Sequence, residues 1–186
     1  MLIQIITHTY VTLEPQDLMV EMIKKHVKVN CVLNNREETA LHIVRHLNVA
    51  KELIRRGVDV NAVTKSKWTP LLYAAEYGHV EIAELLIQSG ASINAVDEFN
   101  QSALRIAVEK QHVDVAKVLI RNGADVNAAQ CNNWTALQTA AWKGHVELAK
   151  LLIQNHADLK DALPKAFKYK HIEMVKLLMK NRCGRS

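Results

Sequence analysis

The sequence predicts an all-helical solenoid, one array of stacked helix–turn–helix units with no central sheet. Three observations predict it. First, the chain repeats itself every 33 residues: Thr69, Ser102 and Thr135 are in phase, as are Leu71, Leu104 and Leu137, and His79, His112 and His145. A fixed period of this length marks units that are each too small to fold alone and that bury their apolar faces by stacking. Second, each period holds two short runs whose apolar residues recur at helical spacing. Third, a polar, turn-rich stretch separates one pair of runs from the next, Ala91 to Gln101 and Ala124 to Trp134.

The elements follow in chain order. The opening MLIQIITHTYV is apolar but has no basic flank, which argues against a signal peptide. Its β-branched content leaves helix or strand open. Asp17 to Asn30 then reads as a helix with Leu18, Met22 and Ile23 as its stripe. Thr39-Ala40-Leu41-His42 and Val49 to Ile54 form a degraded unit. His46 lies 33 residues before His79, but Thr39 lies only 30 before Thr69, so three residues are missing around the turn between its helices.

The unit from Thr69 is the clearest. Thr69 can cap a helix whose first position is Pro70, where a missing N–H costs nothing. Leu71, Ala74 and Ala75 fall on one face. Gly78 ends the helix, because glycine enters the left-handed region easily. Ile82, Leu85 and Leu86 form the stripe of the second helix, which Gly90 ends. The units from Ser102 and Thr135 repeat this logic. At the far end Ala162-Leu163 and His171 to Leu178 match again, but Leu163 follows Leu137 by 26 residues, so the connecting stretch is seven shorter. The expected organisation is a degenerate N-terminal capping repeat over 1–28, four repeats over 29–159, and a C-terminal helical cap and tail over 160–186, in one continuous domain. Terminal units of a solenoid should have polar outer faces.

The recurring wording is similar to the ankyrin repeat: T-P-L-L-Y-A-A at Thr69 to Ala75, G-H-V-E-I-A at Gly78 to Ala83, G-A-D-V-N-A at Gly123 to Ala128. The resemblance covers about residues 14–181. It implies a curved array in which each polar connection is a short β-hairpin projecting sideways. Asn100 and Asn133 stand where the family usually has glycine in the hairpin turn, and asparagine is the next best residue for positive φ. Lys67 holds that place one unit earlier, where it is less comfortable.

Composition bounds the rest. Hydrophobic residues make up 49% and charged residues 23%, which is ordinary for a globular chain. No run approaches the ~18 apolar residues of a membrane span. Cys31, Cys131 and Cys183 are odd in number and far apart, which fits free thiols in a reducing compartment. The expected setting is cytoplasmic, or a host cytosol if an intracellular pathogen is the source. From Lys160 onward the net charge is +6, against +5 for the whole chain, so the basic surplus belongs to the C-terminal cap. A solvated capping face explains it, as would a contact for an acidic partner.

No P-loop, dinucleotide glycine motif, nucleophile elbow or paired CxxC occurs. His42 and His46 are four apart, but each falls on a repeat histidine position and no third ligand is in view, so no metal is expected. No cofactor or catalysis is expected either.

The core positions explain Leu, Ile and Ala but not the aromatics. Trp68 and Trp134 precede the capping threonine, Phe99 lies at a turn tip, and Tyr77, Trp142 and Tyr169 end the first helix of a unit. The ankyrin resemblance implies that these places line the concave groove where the family binds partners. Trp and Tyr also dominate interface energetics. Lys65, Lys67, Glu76, Glu98, Gln101, Arg105, Glu109, Lys110, Asn132, Gln138, Lys143 and Lys168 interleave and would supply specificity. The expected function is binding another protein through this groove, as a monomer. The rival readings are RNA or a phosphate-bearing ligand held by Trp68, Trp134 and Trp142 with Lys65, Lys67 and Lys143, and an interaction fragment of a larger effector or enzyme.

Overall fold

A computed structural model describes residues 32–129 and 134–183. The expectations for the opening segment, for the helix over Asp17 to Asn30 and for Cys31, Cys131 and Asn133 fall outside these residues. Ten helices form five pairs among the described residues: α1 (Ala40–Ile43) with α2 (Leu47–Arg55), α3 (Pro70–Tyr77) with α4 (Val80–Gln88), α5 (Ala103–Glu109) with α6 (Val113–Arg121), α7 (Ala136–Lys143) with α8 (Val146–Gln154), and α9 (Ala162–Lys168) with α10 (Ile172–Cys183). The first helices pack in one row, α1 on α3 on α5 on α7 on α9, and the second helices in another.

Local chemistry sets the helix starts. The hydroxyls of Thr69, Ser102 and Thr135 accept from the backbone N–H of Leu72, Arg105 and Gln138, each at 3.3 Å, satisfying donors that a helix start leaves open. α3 and α7 end on Gly78 and Gly144, at φ 72° and 77°. α1 is a single turn. The three missing residues are those of its last turn, and the chain leaves the helix at Val44 in an extended conformation.

The core lies between the two rows. Leu41, Leu71, Leu104 and Leu137 from the first row meet Leu53, Leu86, Leu119 and Leu152 from the second, all fully buried. Alanines such as Ala74, Ala107, Ala140 and Ala166 are buried where neighbouring first-row helices approach closely. The expected hairpins are reduced to turns. The pair Val96–Ser102 is the sole isolated bridge among the described residues, with Thr64 N–H to the Trp68 carbonyl at 3.0 Å one unit earlier. Lys67 and Asn100 both adopt the expected positive φ, 60° and 63°. The tips stack on one another, Lys65 N–H on the Arg36 carbonyl at 3.0 Å and Glu98 N–H on the Ser66 carbonyl at 3.1 Å.

A second stitch comes from asparagines one period apart. Asn61 accepts from Ser92 N–H at 2.8 Å and donates to the Gly90 carbonyl at 3.0 Å. Asn94 accepts from Asp125 N–H at 2.9 Å. Asn127 accepts from Asp158 N–H at 2.8 Å and donates to the His156 carbonyl at 3.3 Å.

The C-terminal pair departs from the polar outer face expected of it. Phe167 occupies the place of Ala75, Val108 and Ala141, which are buried, yet it is 56% exposed. Ile172 and Met179 are exposed as well. No described unit lies beyond to cover them, and the lysines of this segment surround rather than replace the apolar positions.

Candidate functional site

The ends of the first-row helices and the turns beside them carry a continuous strip of side chains. At its N-terminal end Trp68 meets Tyr73 edge-on, with ring centroids 5.1 Å apart, Tyr73 stacks with Tyr77 at 6.3 Å, and Tyr77 stacks with His79 at 6.0 Å. His42 meets Tyr73 edge-on from the preceding unit at 5.6 Å. Edge-to-face and offset geometries at these separations are favourable because of the ring quadrupole. The Arg45 guanidinium stands 5.9 Å over the Tyr77 ring. Tyr73 does not point away into solvent; its hydroxyl donates to the buried Glu38 carboxylate. Burial works to raise the Glu38 carboxyl, but bonds from Tyr73 and Asn34 outweigh it and hold the group below its ordinary value.

The middle of the strip is ionic. Lys110 pairs with Glu76 of the preceding unit at 2.5 Å, and Lys143 approaches Glu109 of its own preceding unit at 4.0 Å. The hydrogen bond to Glu76 raises the Lys110 ammonium above its ordinary value. Arg105 donates to Glu109 at 2.6 Å and to Gln101 at 2.8 Å. The Lys110–Glu76 and Lys143–Glu109 pairs are partly open to solvent, and pairs of that kind contribute little to stability, on the order of 0–1 kcal/mol. Their consequence is geometric: they hold long side chains in fixed places along the row.

At the C-terminal end the same structural positions carry aromatics. Trp142 takes the place of Glu76 and Glu109, Tyr169 the place of Lys110 and Lys143, and the two rings lie 6.3 Å apart. Trp134 meets Trp142 edge-on at 5.7 Å, and Tyr169 stacks with His171 at 6.5 Å. Lys143 covers the Trp142 ring at 4.3 Å, Lys165 the Trp134 ring at 4.4 Å, and Lys168 the Tyr169 ring at 5.6 Å. An ionic stretch is thus flanked by an aromatic cluster on each side.

A family model of ankyrin repeats matches the chain in three copies, over residues 10–97, 89–162 and 104–185. The chain belongs to the ankyrin-repeat family. Ankyrin repeats serve generally as protein–protein interaction modules and are typically non-catalytic. No curated protein sequence matches the chain significantly.

Within this ankyrin-repeat array most of the residues expected at a groove do share one strip: Trp68, Tyr77, Glu76, Lys110, Gln101, Arg105, Glu109, Lys143, Trp134, Trp142, Lys168 and Tyr169. Tyr77 and Tyr169 are 55% and 44% exposed, and the three tryptophans are half-buried. Lys65 joins this strip as well, lining a groove with Trp68, Tyr73, Glu76 and Tyr77, whereas Lys67, Glu98 and Phe99 lie at the turn tips, with Phe99 61% exposed. Asn132 lies outside the described residues.

Gln138 is a correction. It is 6% exposed, and its amide donates to the Lys160 carbonyl at 3.1 Å. It sits three residues after the capping hydroxyl, the place His42 holds in the first described unit. His42 does the same work there: Nε2 lies 3.1 Å from both the Ala62 and Trp68 carbonyls, so it carries the proton, while Nδ1 accepts from Thr39 N–H at 3.0 Å. Both ring nitrogens are engaged, and no cluster that could hold a metal ion exists among the described residues. The sequence reading also missed Tyr73 and Lys165 as members of the strip. Tyr73 carried a signal, lying four residues before Tyr77 on one helix face; Lys165 carried none, because its partner Trp134 is a full unit away.

Proposed function

We propose that the array binds a partner protein through the strip of the first-row helices, using the aromatic clusters as anchors and the ionic stretch for register. The observation that carries this reading is the pair of aromatic clusters at equivalent structural places, kept partly open to solvent on a rigid row of helices. Rigid aromatics with few rotatable bonds are the side chains that yield most binding energy per contact. The ionic stretch between them supplies charges that are already ordered, so ordering them costs little on association. The reading assigns the chain no chemistry of its own, no cofactor and no metal. It takes the chain as a monomer in a reducing, cytoplasmic compartment.

The covering lysines weigh against the nucleic-acid alternative. Bases need free ring faces to stack on, and Lys143 and Lys165 already lie over the faces of Trp142 and Trp134. A protein partner can use the exposed edges and bring its own carboxylates to those lysines.

The test is capture of partners from a lysate by the wild type and by Trp142→Ala, followed by titration of whatever protein is captured. The variant should retain its fold and lose more than about 1 kcal/mol of binding, as an anchor does. Equal binding by both forms would overturn the strip as the contact surface. Binding of oligonucleotides with a steep salt dependence would replace the protein reading by the RNA one.

A further inference from the structure

An open groove of about 470 Å³ lies where the first two described turns meet α3. Its apolar lining is Trp68, Tyr73 and Tyr77, and its cationic lining is Arg36 and Lys65. The backbone brings the two cations together. Lys65 N–H donates to the Arg36 carbonyl at 3.0 Å, so the two side chains rise from adjoining turns. Arg36, Lys65 and Tyr77 are exposed, and Trp68 and Tyr73 are half-buried. A group from outside can therefore reach charge and ring together.

The charges do not balance within the chain. Neither Arg36 nor Lys65 has an ion pair among the described residues. Glu38 feels the Arg36 charge, but its oxygens are engaged by Tyr73 and Asn34. Glu76, the one carboxylate among the described lining residues, is held by Lys110. Glu37 and Lys67 stand on the same two turns but do not line the groove. Two like charges thus lie close together without a counter-ion, and an anion between them relieves their repulsion. The rings decide what carries that anion. Tyr77 already stacks with Tyr73 and His79 and has Arg45 over its ring, whereas a nucleic-acid base needs a free face. We infer that this groove takes an acidic segment of the partner protein, with a carboxylate between Arg36 and Lys65 and a neighbouring apolar side chain against Trp68 and Tyr77. The inference rests on the protein-binding reading above, and adds the chemistry of the partner at the first two described units.

The probe is a phage library of short random peptides, selected on the immobilised full chain. Peptides that combine Asp or Glu with a neighbouring apolar residue should be enriched over the unselected library. Synthesised and titrated by fluorescence anisotropy, they should bind more weakly as salt rises. Arg36→Gln with Lys65→Gln should weaken them by about tenfold, the loss of two solvent-exposed charge pairs. Arg36→Glu with Lys65→Glu should weaken them further, because it replaces attraction by repulsion. On the wild type, ¹⁵N NMR should place the peptide-induced shifts at Lys65, Trp68 and Tyr77 and leave the basic C-terminal unit around Lys170 and Lys180 in place. The inference is overturned if no peptide is enriched above the bare support, if the enriched peptides lack acidic residues, if the substituted chains bind them as the wild type does, or if the shifts fall on the C-terminal unit instead. The strip proposal is tested separately by Trp142→Ala against a captured partner, so either can fail alone.

Discussion

Single residues tie neighbouring units together, and the histidines do so most visibly: His112 Nε2 lies 3.1 Å from the Glu76 carbonyl and His171 Nε2 lies 2.8 Å from the Trp142 carbonyl. Burial holds His42, His79 and His145 below the ordinary histidine value of 6.5. The sign follows directly. The unfolded chain binds protons at these sites that the folded chain refuses, so their contribution is whole above about pH 6.5 and is lost as pH falls below it. Denaturation midpoints should therefore decline between pH 7 and 5. His42→Gln should blunt that decline at little cost at pH 7, because Gln138 already fills the equivalent place with a working hydrogen bond. His42→Leu should instead cost about 1–3 kcal/mol at pH 7, by stranding the Ala62 and Trp68 carbonyls and the Thr39 N–H. If the Leu variant proves as stable as the Gln variant, the buried hydrogen bonds are not what His42 contributes.

Two glycines separate backbone strain from crowding. Gly78 and Gly90 both have positive φ, 72° and 90°. A Cβ on Gly78 would lie 2.7 Å from His112 Nδ1, whereas one on Gly90 would meet nothing within 4 Å. Gly90→Ala should cost about 1–2 kcal/mol for the left-handed backbone alone. Gly78→Ala should cost more, since it must also push aside the ring that joins two units. Equal melting temperatures for the two variants would mean that the His112 ring moves freely. The strip side chains should behave in the opposite way to the core. Leu104→Ala should cost about 2–5 kcal/mol of stability, and Trp142→Ala clearly less, as urea titrations would show.

At the scale of elements, the connections hold the stack together more than their sparse strand pairing suggests. Asn61, Asn94 and Asn127 each reach the backbone of the following unit. Asn61 makes two such bonds and Asn94 one. At about 1 kcal/mol per bond, Asn61→Ala should destabilise about twice as much as Asn94→Ala, and neither should alter partner binding. Comparable losses in chemical denaturation would show that these bonds are not counted independently. The period of these asparagines is plain in the sequence, but their role is not, since N-A within a polar stretch reads as an ordinary turn. The shortness of α1 was legible from the spacing of Thr39 and Thr69; that it leaves Nε2 of His79, the counterpart of His112 and His171, without a partner among the described residues was not.

At the scale of the molecule, stability in a stacked array is a sum of unit and neighbour-interface terms. Ending the chain before Lys160 removes α9 and α10, and exposes Leu148 and Leu152, which are now fully buried. That truncation should melt earlier and aggregate in light-scattering measurements. An unchanged, monodisperse truncation would show that the last pair does not cover the stack.

Read along the chain, the residues fix the order of the described helices, their capping hydroxyls, the glycine stops and the positive φ of Lys67 and Asn100, but not that of Glu37, Gln111, His156, Asp161 and Lys170. The features fixed in this way depend on residues within about four places of one another, so local propensity encodes them. The 33-residue period also determined which units are neighbours. Tertiary structure alone decided what stands opposite each side chain. It turned Gln138 inward onto Lys160, laid Lys165 across Trp134, left Phe167 uncovered where its counterparts are buried, and left His79 without an acceptor. The physical reason is the same in each case: burial and pairing are properties of two surfaces, and the second surface lies a whole unit away along the chain.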